Sequence, residues 1–447
     1  MPLSVASMAV PRRLGILGML VAVMAVAASH EEAAEAEQGP EQGPPKHYLA
    51  ALRETYPTHN WSRPVQKARS PTKAVPIGES DLSQLYEDNL SADLIIWRER
   101  AEREGLLAME ALLKWARAVT KDTGTKKLVV IREGRLVFPL EKDQVTNYPC
   151  PGKCQNLMEL ALTALREWVE ADPSAWPQVA FVLNVADGSL CSRKVTHGLS
   201  LAKEGCPVPP LSYIKAWGHG GKDGDILVPM MPDGLANWTL YNFPWGEKID
   251  RAVFRGHNYC HSRRFAYARD HCSRYYLVYK AQSSKDWQQF IDVGTISPKV
   301  VWRGTPIAPS PYLPTEEEAR FRYTLALDGI TASSRLAKLL TVNSVVIKQA
   351  SPWIEWYYRS LYPQVHYIPF WEHSQNDLMC IMELLRKQAD DIQEEIARNG
   401  QGFAYRYLRP EARRQYWLQA LTEYRKLFGE DMEDYVGKQK PPHLPPE

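Results

Sequence analysis

The chain has 447 residues, 45% of them hydrophobic, enough to bury a sizeable core and long enough for two domains of ordinary size. Its 54 basic and 52 acidic residues are mixed along the sequence and leave a formal charge of +2. That balance excludes a broad electrostatic footprint for nucleic acid or an anionic membrane.

Arg12 and Arg13 precede an apolar run over residues 14–27 that ends in Ala25, Val26 and Ala27, a small-x-small pattern. Residues 1–28 therefore read as a signal peptide, with a short uncleaved anchor as the competing reading and the only expected tie to a membrane. Residues 29–80 form a stem or linker, rich in Glu, Ala, Gly and Pro at its start. Asn60-Trp-Ser62, Asn89-Leu-Ser91 and Asn237-Trp-Thr239 are glycosylation sequons, usable only in a secretory lumen. The seven cysteines (150, 154, 191, 206, 260, 272 and 380) all follow the signal segment, where an oxidising compartment lets them pair. Cys150 and Cys154 can close a small loop. The other partners are open, and a zinc site is the weaker reading.

Between residues 81 and 120, leucines and tryptophans recur at helical spacing. A strand is expected over 128–131, an amphipathic helix over 157–169 and a strand over 179–185 that runs into Ala186-Asp187-Gly188. Strands alternating with helices indicate an α/β sheet. Residues 207–244 are rich in Pro, Gly and Trp and place a domain boundary near Trp245, giving domains over 81–244 and 245–430 and a Pro-rich tail over 431–447. In the second half, a strand (321–327), a turn at Asp328-Gly329, a helix (333–340) and a strand (342–348) make a βαβ unit. Long helices are expected over 375–398 and 411–428.

In open α/β sheets ligands sit beyond the C-terminal ends of strands. Asp187 lies there and is the candidate general base, the alternative being a plain Asp-Gly turn. The segment Asp328-Gly-Ile-Thr-Ala-Ser-Ser-Arg335 brings small residues and an arginine to a helix start, as a diphosphate cradle would. An ordinary capped helix is the alternative. Phe254-Arg255-Gly256 and the pair Arg263-Arg264 supply cations for phosphates or for ion pairs. Asp223-Gly224-Asp225 has a metal-binding look but sits in a glycine-rich loop and reads as a turn.

The run Phe321-Arg-Tyr-Thr-Leu-Ala-Leu-Asp-Gly-Ile-Thr-Ala-Ser-Ser-Arg-Leu336, then Val345-Val-Ile-Lys-Gln-Ala-Ser351, Glu355-Trp-Tyr-Tyr358, Leu361-Tyr-Pro363 and His366-Tyr-Ile-Pro369, resembles the C-terminal half of the Rumi-like protein O-glucosyltransferases, glycosyltransferase family 90. Upstream, Val182-Leu-Asn-Val-Ala-Asp187, Leu211-Ser-Tyr213, Asp225-Ile226 with Pro229, and Ala252-Val-Phe-Arg-Gly256 are similar to family motifs in the same order. The resemblance spans residues 145–430. After Gly256 the chain departs from it with His257-Asn258-Tyr259-Cys260, and again in the proline-rich segment 302–314.

The resemblance implies a GT-B-like fold, two Rossmann-like domains facing a cleft, here with an N-terminal signal segment and a helical N-terminal extension. It implies an inverting transfer of glucose or xylose from a UDP-sugar to a hydroxyl, a protein serine on EGF-like domains among the acceptors. Asp187 would be the base, Ser212 and Arg255 would lie near the sugar nucleotide, and Gly329, Ala332, Ser333 and Arg335 would surround the diphosphate. No metal or other cofactor is expected, Asp225 being structural, and the location would be the lumen of the endoplasmic reticulum or Golgi, or outside the cell. A glycan-directed relative and a non-catalytic luminal binding protein are the alternatives.

Overall fold

The computed structural model describes residues 48–69, 79–120, 124–140, 153–191, 206–218, 221–230, 239–259, 272–302 and 304–438. The signal segment, most of the stem, the Asn237 sequon, Cys150, Cys260, Arg263 and Arg264 lie outside them.

Two five-stranded sheets organise the chain, each with its own apolar core. The first contains β1 (Lys126–Arg132), β2 (Arg135–Val137), β3 (Val179–Asn184), β4 (Leu211–Ser212) and β5 (Ile226–Leu227), in the order β2-β1-β3-β4-β5. All six residues of β3 are buried, as a central strand covered on both faces requires. β3, β4 and β5 run parallel, whereas β1 is antiparallel to both its neighbours. The β1–β2 hairpin turns on Glu133 (φ 48°) and Gly134 (φ 73°), the two left-handed residues such a tight turn demands. Gly134 is also pressed against Pro173, where a Cβ would approach to 2.4 Å.

The second sheet contains β6 (Ile249–Gly256), β7 (Ile291–Thr295), β8 (Phe321–Ala326), β9 (Val345–Gln349) and β10 (Ile368–Phe370), in the order β7-β6-β8-β9-β10 and parallel throughout. The chain moves from β6 to one side and then crosses to β8 on the other. The crossover makes a topological switch point at the C-terminal ends of β6 and β8, the position where sheets of this kind form a crevice. The strand–helix–strand unit read from the sequence is β8, α5 (Arg335–Leu339) and β9.

Helix α1 (Ala92–Glu104) joins the first sheet through a buried charge cluster. Asp93 binds Lys215 Nζ at 2.6 Å and Arg359 Nη2 at 2.8 Å, and its other oxygen accepts from Leu227 N at 2.8 Å. Helix α2 (Met109–Val119) and helix α3 (Lys153–Ala171) add their apolar faces to this sheet's core.

Two expectations change. The helix expected over 375–398 is two helices, α6 (Asp377–Lys387) and α7 (Asp390–Phe403), because Gln388 and Ala389 are extended. The Gln393 side chain stabilises the break by donating from Nε2 to the carbonyls of Leu385 and Gln388 at 2.9 and 3.0 Å. Residues 431–438, expected within a Pro-rich tail, belong to helix α9 (Glu430–Lys438). Its Met432 and Val436 are fully buried in the first sheet's core. Such burial is worth about 1.5–3 kcal/mol per large side chain, ample to hold a short helix. Helix α8 (Pro410–Lys426), opened by proline at its first position, packs in the same core through Tyr416, Trp417, Leu421 and Tyr424. The chain thus crosses back to the first sheet after completing the second.

Candidate functional site

Asp187 follows the C-terminal end of β3 and is exposed. Its turn is built by Asn184, whose Oδ1 accepts from Ala186 N at 3.2 Å and whose Nδ2 donates to Gly188 O at 2.9 Å. Gly188 N closes the turn on Ala186 O at 2.8 Å, with φ of 145° at Gly188. A fully buried polar network supports it from below. Ser212, at the end of β4, donates to Asp225 Oδ1 at 2.5 Å and accepts from Asn184 Nδ2 at 3.0 Å. Asp225 also accepts from Leu190 N and Cys191 N at 2.7 and 2.8 Å. Asp223 accepts from Ser189 Oγ and from Ala216 N.

Both carboxylates of the Asp223-Gly-Asp225 turn are therefore engaged in holding residues 189–191, and the Ser212 hydroxyl is used beneath the turn. Burial pushes the Asp225 carboxyl up to about 6, even though Ser212 and two backbone donors favour its charged form.

A second candidate region lies at the switch point of the second sheet. Arg255, on β6, forms an ion pair with Asp292 at 2.6 Å and donates to the Asp292 carbonyl at 2.7 Å, while Tyr56 donates to the second Asp292 oxygen at 2.9 Å. Arg335, at the start of α5, pairs with the buried Glu318 and donates to the carbonyl of Arg255. Its guanidinium lies 4.8 Å from the Phe254 ring. Ala332 is buried in the core beside it and Ser333 is half-buried.

A third guanidinium, Arg274 on helix α4 (Ser273–Ser283), lies 5.4 Å from the same Phe254 ring. Arg274 donates to the carbonyls of His257 and Leu327 at 2.7 and 2.9 Å, locking the exits of β6 and β8 together. It explains Gly329: a Cβ there would stand 3.2 Å from Arg274 Nη2. Burial lowers the pKa of Arg335 to about 9, with the Arg274 charge adding to the effect, and lowers that of Arg274 to about 10. The Arg274 charge thus works against that of Arg335, in the same direction as burial.

Five buried polar atoms without hydrogen-bond partners lie here: Arg274 Nε, both amide atoms of Asn258, Asp328 Oδ2 and Thr331 Oγ1. Buried polar groups are normally satisfied, so these atoms are candidates for contact with a ligand.

The structure thus places Arg255, Gly329, Ala332, Ser333 and Arg335 near the strand ends of one sheet, and Asp187 with Ser212 at the strand ends of the other. Arg274 escaped the sequence reading because Cys272-Ser273-Arg274 belongs to no motif and reaches the crevice only through the path of α4. Asn258 is legible in the sequence, since it falls within His257-Asn258-Tyr259-Cys260, where the chain departs from the resemblance after Arg255-Gly256.

Residues 239–437 match the family model for glycosyl transferase family 90. That stretch of the chain resembles the family. It is 28% identical to mouse protein O-glucosyltransferase 1 over 216 residues, 46% of this chain and 51% of that protein, and the human counterpart gives the same figures. It is 24% identical to O-glucosyltransferase rumi of Drosophila pseudoobscura pseudoobscura over 345 residues, 71% of this chain and 77% of that one. The chain spans about half the length of the mammalian relatives it matches. The family match covers the entire second sheet, so the Arg255, Arg274 and Arg335 cluster lies within it, whereas Asp187 and Ser212 lie before it. Among the described residues no helix is long and apolar enough to cross a membrane.

Proposed function

We propose that this chain is an inverting glycosyltransferase of the secretory pathway that moves glucose or xylose from a UDP-sugar to a hydroxyl, a protein serine being the favoured acceptor. The observation that carries the reading is the gathering of Arg255, Arg274 and Arg335 around the switch point of a parallel sheet, beside buried polar atoms that lack partners. The relatives are named as O-glucosyltransferases, which supports the reaction class.

The two sheets act as the halves of a GT-B-like enzyme. The donor diphosphate lies across the ends of β6 and β8, with Arg274 and Arg335 opposing its charge and Gly329 allowing close approach. Arg255 is tied to Asp292 and serves through its carbonyl, which orients Arg335. Asp187 accepts the proton of the acceptor hydroxyl as the new bond to the sugar's anomeric carbon forms on the face opposite the departing UDP. The buried Ser212–Asp225 network holds the turn that carries Asp187. UDP leaves as an anion stabilised by guanidinium groups, so the reading requires no metal.

The test is UDP release from UDP-glucose and UDP-xylose by the purified protein, with and without folded EGF-like domains. Acceptor-dependent release by the native protein that is lost in Asp187→Asn supports the reading. Donor binding with no release on any protein acceptor redirects it to glycans, and absence of donor binding refutes it.

A further inference from the structure

Cys191 and Cys206 are both unbonded, and they lie against one another. Cys191 is buried beyond the Asp187 turn, and Cys206 is half-buried four residues before Pro210 and β4. Cys206 Sγ lies 3.8 Å from the carbonyl of Leu190, the residue preceding Cys191, and its thiol is within hydrogen-bonding reach of the Cys191 sulfur.

Each backbone is held independently. Asp225 accepts from Cys191 N at 2.8 Å, and Arg100 of α1 donates to the carbonyls of Cys206 and Pro207 at 3.1 Å each. Gly224 supplies the space, since a Cβ there would stand 3.1 Å from Cys191 Sγ. Nearby Asp223 and Asp225 are engaged with donors of their own, so the two sulfurs are not half of a ligand set that these carboxylates complete. Elsewhere in the chain Cys272 is already disulfide-bonded.

We propose that Cys191 and Cys206 are joined by a disulfide that ties the exit of the Asp187 turn to the entry of β4. Two thiols give up two electrons and two protons to a disulfide-bearing oxidant, which leaves as two thiols, while one sulfur–sulfur bond forms in the chain. The contact with Cys191, burial and the nearby carboxylates raise the Cys206 thiol, so the folded protein presents little thiolate. The bond therefore forms as the chain folds and then serves as a fixed staple. It ties Cys191, at the exit of the Asp187 turn, covalently to Cys206 and so restricts both positions. The staple stands whether or not the donor and acceptor reading holds.

The experiment is a peptide map of the full chain secreted from eukaryotic cells, purified without reductant, with free thiols blocked before trypsin. Trypsin cuts after Arg166, Arg193, Lys203 and Lys215, so the pair is expected as residues 167–193 joined to residues 204–215, two hydrogens lighter than their sum. Finding both peptides blocked as free thiols, or either joined to a third cysteine, overturns the proposal. As a second measure, Cys191→Ser, Cys206→Ser and the double variant should each melt about 5 °C lower, the double no worse than either single. Additive losses in the singles would contradict a shared bond.

Discussion

The two strand-end regions treat charge in opposite ways. At the second sheet the cations, Arg274 buried and the other two half-buried, are bound in advance: Arg335 to Glu318, Arg255 to Asp292, and Arg274 to two carbonyls. At the first sheet the single carboxylate of interest is exposed, and the buried polar residues beneath it, Asn184, Ser212 and Asp225, fix the backbone that carries it. A site that must hold a dianion needs cations already in place, where reorganisation is small. A base that must meet varied acceptors needs access, with its position set from below.

The sharpest way to break the comparison is Asp187→Asn. It should lower turnover by about 10³-fold while leaving UDP affinity unchanged, measured by UDP release alongside titration calorimetry. Loss of donor affinity in this variant would place Asp187 in the wrong half. Next comes Arg335→Ala, which leaves the Glu318 carboxylate buried without its partner and should cost about 3–5 kcal/mol in chemical denaturation. Glu318→Gln in the same chain should recover a large part of that stability but none of the lost donor affinity, separating the structural pair from binding. Asp225→Asn unpins Leu190 N or Cys191 N and should lower kcat about tenfold with donor affinity intact, since it acts through the turn rather than on the diphosphate.

The smallest effect concerns the buried Glu355. Burial pushes its carboxyl up to about 8 against the opposing pull of Arg413 and a hydrogen bond from Tyr358. A carboxyl with a raised folded pKa favours folding while it stays protonated. That contribution is complete below about pH 4.5, declines as pH rises and is gone above about pH 8. Thermal stability should therefore fall across that window. Glu355→Gln should flatten the profile, and an unchanged profile would show the titrating group to be another.

The parts legible in the sequence were those that adjoin along the chain. The strand before Asp187, the loop 328–335 and the helix at 410–426 follow from alternation, turn residues and helical spacing, and each was found within a few residues. The partners of the charged residues were not legible. Glu318 and Arg335 are 17 positions apart, Asp292 and Arg255 are 37, and Tyr56 meets Asp292 across 236. Only the strand order brings them together. Helix α9 was hidden because the prolines after it dominated the composition, while Met432 and Val436 signal burial only once a sheet lies beneath them.

The central claim, that the crevice at the ends of β6 and β8 holds the donor diphosphate, is tested most directly by titrating UDP into the native protein and into Arg274→Leu. The account predicts saturable binding by the native protein and at least about tenfold weaker binding in the variant, with unchanged circular dichroism. Equal affinity in the two proteins would contradict it.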